Sequence, residues 1–314
     1  AFRYRLAAVP VLIFYAVYFY AGYFKNIKWM GFNLALIVLL GTPIISGLMF
    51  QEIPKSESYD HYADGFLDKK NDSKAERFYD MAARMAEQEG RTEGEMYSTY
   101  LRKGYMANKK GSPDSAVEDY SKAIKANPKS ALAFYNRANA NYRQGNFQAA
   151  LEDYGQTIEL SKEDTSLLGA SYFGRGLAYI RLRQAQDALE NFNKAIALSD
   201  TFDRAYANRG VLLGQMGKTR EAIADFNKAI KLKPGKSKTY VDRSIAYIGL
   251  QEMELAMKDL DKAIELDQKN AKAFYLRGML NIQSGQGAKG CKDLKKSAEL
   301  GFKQAQAEFN RSCN

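Results

Sequence analysis

The chain opens with two apolar runs, Leu6 to Phe24 and Phe32 to Phe50, each 19 residues long and free of charge. As helices they would each span roughly 28 Å at about 1.5 Å per residue, close to the ~30 Å hydrocarbon core of a bilayer. Neither run shows the polar stripe expected of a helix buried in a soluble core. The short linker Lys25-Asn26-Ile27-Lys28-Trp29 is polar, and Trp29, Tyr20 and Tyr23 suit a headgroup layer. The pattern predicts a transmembrane helical hairpin in residues 1–55, with spans at about 6–24 and 32–50 in contact with lipid. The first run is too long and aromatic for a signal peptide and is followed at once by the second. Pro10 and Pro43 are tolerable in membrane helices, and Tyr15, Tyr18, Tyr20 and Tyr23 read as packing and interfacial residues.

From Ser56 the pattern becomes periodic. Units start at residues 97, 131, 169, 203, 237 and 271, spaced by 34 residues except for 38 between 131 and 169, with a weaker unit near 56. Position 4 is aromatic: Tyr59, Tyr100, Phe134, Tyr172, Tyr206, Tyr240 and Phe274. Position 8 is small: Ala63, Gly104, Ala138, Gly176, Gly210, Ser244 and Gly278. A spacing of four puts one bulky and one small residue on the same helical face. The second half of each unit repeats the device. Small residues stand at position 20 (Ala75, Ala116, Ala150, Ala188, Ala222, Ala256, Gly290), and an aromatic or Leu follows at position 24 (Tyr79, Tyr120, Tyr154, Phe192, Phe226, Leu260, Leu294). Pro128 and Pro234, at position 32, stop two second helices.

This order of aromatic, small, small, aromatic and proline over 34 residues resembles the tetratricopeptide repeat, across about residues 56–301. The resemblance implies an all-α fold: a right-handed α-solenoid of about seven helix-turn-helix repeats in residues 56–314, joined to the two-helix transmembrane anchor. Units that cannot bury their faces alone stack on each other and need caps. Residues 302–314, with Ala305, Ala307 and Phe309, suit a C-terminal capping helix. Four extra residues around Lys162 to Ser166, and about seven around Glu87 to Glu93, are expected to lengthen loops.

Arg137, Arg175, Arg209, Arg243 and Arg277 recur at position 7, and Asp119, Asp153, Asp225, Asp259 and Asp293 at position 23. Because both signs recur in the same units, a row of interhelical Arg–Asp bridges is the favoured reading over a ladder for an anionic ligand.

The formal net charge is +10, of which residues 1–55 supply +4 (five Lys and Arg less Glu52), leaving +6 for the rest. Lys and Glu alternate along the helices as on a solvated surface, without the basic stripe of a nucleic-acid binder. Two cysteines and one histidine, His61, leave no four-ligand zinc site and little histidine chemistry. Gly285-Gln286-Gly287-Ala288-Lys289-Gly290 matches a dinucleotide fingerprint, but the register puts it between two helices rather than after a strand. No Walker loop or H-E-x-x-H is present. The chain is expected to have no catalytic residues, metal or cofactor, and not to be an enzyme.

In tetratricopeptide proteins the first helix of each unit lines a concave groove. Carried over position by position, the resemblance nominates Tyr135, Asn136, Asn139, Tyr142 and Arg143, then Phe173, Leu177, Ile180 and Arg181. Arg204, Asn208, Val211 and Gln215 follow, then Lys238, Val241, Asp242 and Ile245. The Lys and Asn set that receives chaperone tails does not stand at the matching positions. The chain's ending, from Gly290-Cys291-Lys292-Asp293-Leu294 to Cys313, is similar to those of exported bacterial members. That likeness implies a Cys291–Cys313 disulfide and an extracytoplasmic, periplasmic solenoid; two buried free thiols are the alternative. The charge rule does not choose a side, since Lys25 and Lys28 oppose Arg3, Arg5 and Lys55. The expected function is a membrane-anchored scaffold, assembly factor or accessory subunit that binds protein partners of a larger membrane complex in its groove. The rival is the C-terminal part of a larger multi-span membrane enzyme, such as a glycosyltransferase with a repeat tail, since the chain starts at Ala1 without Met.

Overall fold

The computed structural model describes Tyr59, Ala63, Asp64 and residues 72–313, all in one unit spanning Tyr59–Asn314. The hairpin expected in residues 1–55 lies outside the described residues. Among the described residues no helix is long and apolar enough to cross a membrane.

Fourteen α-helices and no strands make up the described residues. Helix α1 (Asp72–Gln88) leads through a 3-10 turn (Glu93–Met96) into the pair α2 (Tyr97–Lys110) and α3 (Pro113–Ala126). The pairs α4 (Ala131–Gln144) with α5 (Phe147–Leu160) and α6 (Thr165–Arg181) with α7 (Ala185–Leu198) follow. Then come α8 (Asp203–Gln215) with α9 (Thr219–Leu232), α10 (Ser237–Gly249) with α11 (Met253–Leu266), and α12 (Ala271–Gln283) with α13 (Gly287–Glu299). Helix α14 (Lys303–Ser312) packs on α13, and contacts run chiefly between helices adjacent in sequence.

Each pair closes by inserting a large side chain against a small one. Tyr120, Tyr154, Phe192, Leu260 and Leu294 are essentially inaccessible. At position 8 opposite them a side chain must stay small: a Cβ on Gly176 would come 2.8 Å from the Phe192 ring, inside any real contact distance. A solenoid core is thus a file of such insertions, each of which removes roughly 1.5–3 kcal/mol worth of apolar surface from water.

The turn within each pair needs a left-handed residue at position 15. Gly111, Gly145, Gly217 and Gly285 supply it with φ of 79° to 90°, whereas Arg183 and Gln251 adopt φ 61° despite their Cβ. Gly285 is therefore a helix-turn-helix residue, and the dinucleotide-like motif has no strand before it.

The four-residue insertion departs from expectation. Every turn between pairs after α3 is four residues long, Ser161–Asp164 included. The extra residues instead add a turn to the start of α6, which has 17 residues where the other first helices have 13 or 14. The Asp164 carboxylate caps that turn by accepting from Leu167 N at 2.9 Å. Leu167 and Leu168 are half-buried there, so lengthening the helix keeps the short turn and gains apolar contact. Tyr154 from α5 wedges against α6 so closely that a Cβ on Gly174 would lie 2.5 Å from its Cζ.

Candidate partner-binding groove

The nominated residues fall on the first helices α4, α6, α8 and α10, but not all are available to a partner. Asn139 Oδ1 accepts from the Tyr154 hydroxyl at 2.8 Å, and burial raises that hydroxyl above its ordinary pKa. Tyr135 rests on Tyr154 and Tyr142 on Phe147, with ring centroids 6.1 and 5.4 Å apart. Asn136 is half-buried. Arg143 is exposed, and its Nη1 reaches across to the carbonyl (3.1 Å) and Oδ1 (2.8 Å) of Asn108, linking α4 to α2. Arg181 is exposed and lies over the Phe147 ring at 4.7 Å.

Two nominations are corrected by burial. Phe173 sits between Phe192 and Phe202, at 5.8 and 4.9 Å, with the Arg204 guanidinium above it at 5.3 Å. Val241 is buried in the cluster around Leu260. Both face a neighbouring helix because the first helices pack side by side, so part of each groove-facing stripe becomes core. Leu177 and Ile180 are half-buried against that Phe173 cluster, and Val211 is half-buried against the next. Asn208 Nδ2 donates to Arg204 O, and Lys238 pairs with Asp242 at 2.6 Å. Gln215 is exposed, and so is Ile245, at 41%.

Two apolar residues of the same register were not nominated and are more exposed than Ile245: Tyr105 at 48% and Leu132 at 45%. Applying the same positions to the unit at 97, where Tyr105 is position 9, and taking position 2 in the unit at 131 as it was taken at Arg204 and Lys238, finds them. Beneath Tyr105, the buried Tyr120 hydroxyl has no hydrogen-bond partner among the described residues. Its counterparts Tyr79 and Tyr154 donate to position-9 residues, Asp64 and Asn139; in this unit position 9 is Tyr105.

The position-7 arginines are internal braces. Arg137, Arg209, Arg243 and Arg277 each fork onto the Asp sixteen residues on, with Nε and Nη2 at 2.6 to 2.9 Å from Asp153, Asp225, Asp259 and Asp293. Their Nη1 atoms reach position 25 of the preceding unit: Ser121, Asn193, Asn227 and Asp261. With three donors engaged, each guanidinium is committed to the fold rather than to an anionic ligand. The bond to the carboxylate also raises Arg209, Arg243 and Arg277 above their ordinary pKa. Arg175 differs: its partner is the neutral Asn191, at 2.8 Å.

At the C-terminal end Cys291 of α13 is disulfide-bonded to Cys313, which follows α14, with Cα atoms 5.7 Å apart. Phe302 packs against Tyr275 with ring centroids 5.0 Å apart and Ala305 is fully buried, so the cap is held by packing as well. No group of three or more His, Cys, Asp and Glu able to hold a metal occurs among the described residues.

Family models described as tetratricopeptide repeat match residues 101–164, 169–202, 203–236 and 237–270, together more than half of the chain. The chain belongs to the tetratricopeptide repeat family, whose members mediate protein–protein interaction as scaffolds. It is 35% identical over 101 residues to human tetratricopeptide repeat protein 36, a match covering 32% of this chain and 53% of that protein. It is 31% identical over 90 residues to mouse DnaJ homolog subfamily C member 7, covering 28% and 18%. The chain thus spans about half the length of the first relative and under a fifth of the second. The solved structure of a tetratricopeptide repeat protein from Parabacteroides merdae shares the fold, with a TM-score of 0.63 and 22% identity over 82% of this chain and 99% of that one.

Proposed function

We propose that this protein is a membrane-anchored, non-enzymatic interaction scaffold that holds a protein partner of a larger membrane complex on the face of its first helices. The observation that carries the reading is the exposure of Tyr105, Leu132 and Ile245 at positions 2 and 9 of those helices, with Arg143 and Arg181 exposed at position 13. Exposed aromatic and aliphatic anchors bordered by arginine are what a protein-binding surface offers. The apolar runs 6–24 and 32–50 support the anchoring. The Cys291–Cys313 disulfide supports a solenoid in an oxidising, extracytoplasmic compartment, where such bonds persist.

The test is co-purification of the full chain from its native membrane in mild detergent, alongside a Leu132→Asp/Ile245→Asp variant. A stoichiometric partner retained by the native chain and lost by the variant, with helical content unchanged, is expected. A chain that purifies alone, or a partner the variant keeps, sinks the groove reading.

A further inference from the structure

One unit breaks the guanidinium ladder. Position 7 of the unit at 97 is Lys103, whose Nζ bonds Asp80 of the preceding unit at 3.0 Å. That is the bond the arginine Nη1 makes elsewhere. The other two bonds, from Nε and Nη2 to the position-23 carboxylate, have no counterpart, because an ammonium is a single point donor where a guanidinium is a fork. Asp119, the position-23 residue here, is only 9% exposed and accepts no hydrogen bond from the described residues.

Asp119 lines a cleft of about 270 Å³ between α1, α2 and α3, together with Asp80, Lys103, Ser115, Glu118 and Lys122. Both lysines are engaged, Lys103 with Asp80 and Lys122 with Glu118 at 2.6 Å. Two cations against three carboxylates leave one negative charge, on the most buried of the three. A buried charge without a hydrogen-bonded partner is costly, so a cation that reaches Asp119 gains more there than at a solvated carboxylate.

We propose that Asp119 is a guanidinium-binding site, taking the arginine side chain of a partner protein through the fork the protein uses internally at Asp153, Asp225, Asp259 and Asp293. The site lies outside the proposed groove and is independent of it. The internal sites supply the expected geometry, two parallel bonds of 2.6 to 2.9 Å to one carboxylate. An ammonium cannot reproduce it.

The experiment is calorimetric titration of the full chain in mild detergent with N-acetyl-arginine amide, N-acetyl-lysine amide and free arginine. The capped arginine is expected to bind about tenfold or more tighter than the capped lysine. Lys103→Arg, which supplies the fork from within the unit, and Asp119→Asn are each expected to abolish that preference. Lys103→Arg should keep native helical content and unfold no more easily, which separates loss of the site from loss of the fold. Equal affinity for the two capped amides, including no binding of either, overturns the proposal, as does a preference that survives Lys103→Arg. Tighter binding of free than of capped arginine overturns the assignment to a partner's side chain.

Discussion

Replacing Cys291 and Cys313 by serine should loosen the C-terminal cap by an amount that the loop length sets. The bond closes a segment of 22 residues. In the chain-entropy treatment such a loop costs the unfolded state about 11 cal/mol/K, or about 3.4 kcal/mol at 25 °C. What remains after its removal is modest: the tilted Phe302–Tyr275 contact, buried Ala305, and a ten-residue helix too short to persist alone. Repeat arrays unfold piecewise, so a global midpoint would dilute the effect. Hydrogen exchange resolved to α14 and the first turns of α13 reads it directly. At about 1.4 kcal/mol per factor of ten, protection there should fall roughly 300-fold, with that of α4 to α9 unchanged. The result that refutes the reasoning is equal protection of α14 in the serine variant and in a parent whose mass proves the bond intact.

Three further outcomes follow from contacts described above. Gly174→Ala should destabilise by about 1–3 kcal/mol through collision with Tyr154, whereas Gly155→Ala, which meets nothing within 4 Å, should stabilise by about 0.5–1 kcal/mol; urea unfolding of both variants checks this. Tyr154→Phe gives up the bond to Asn139 and should lose about 1 kcal/mol, while Tyr120→Phe removes a buried hydroxyl with no partner among the described residues and should gain about that much in the same assay. Burial raises the Asp119 carboxyl above its ordinary value, an effect that Lys103 and Lys122 only partly offset. Below the unfolded value both states are protonated. As pH rises towards the raised folded value, the unfolded chain ionises first and native stability is lost. Asp119→Asn escapes this loss, so its advantage over the parent should be small near about pH 3.5 and larger near about pH 7 in urea midpoints. A constant difference across that range would contradict the assignment.

Much of the solenoid is legible in the spacing of residues. The 4–8–20–24 pattern places Tyr154, Phe192 and Leu260 against small partners because helical period alone decides which residues share a face. The forks follow from Arg and Asp recurring sixteen apart, yet their third bond to the preceding unit does not, since it depends on how units stack. Phe173 and Val241 went to the core for the same reason: period assigns a residue to a face but not to the part of that face a neighbour covers. The extra turn of α6 is not legible in the sequence, because an insertion's length says nothing of which neighbour will accept it. Asp119 carries the repeat's own residue, and only comparison of Lys103 with its arginine counterparts marks it as different.

The ladder also bears on how such an array changes length over generations. Each brace grips its own unit and the one before, so a cut at a braced junction breaks the one bond that crosses it, from Nη1 to position 25. Between the units at 131 and 169 position 25 is Gly155, which has no side chain to offer, and Arg175 bonds Asn191 alone among the described residues. This is also the one junction after residue 97 that carries extra residues. The seam between α5 and α6 is therefore held without a position-7 brace, by apolar packing and the Arg181 guanidinium over the Phe147 ring, so it is the junction of the array where a change of repeat number disturbs the fewest polar bonds of the ladder.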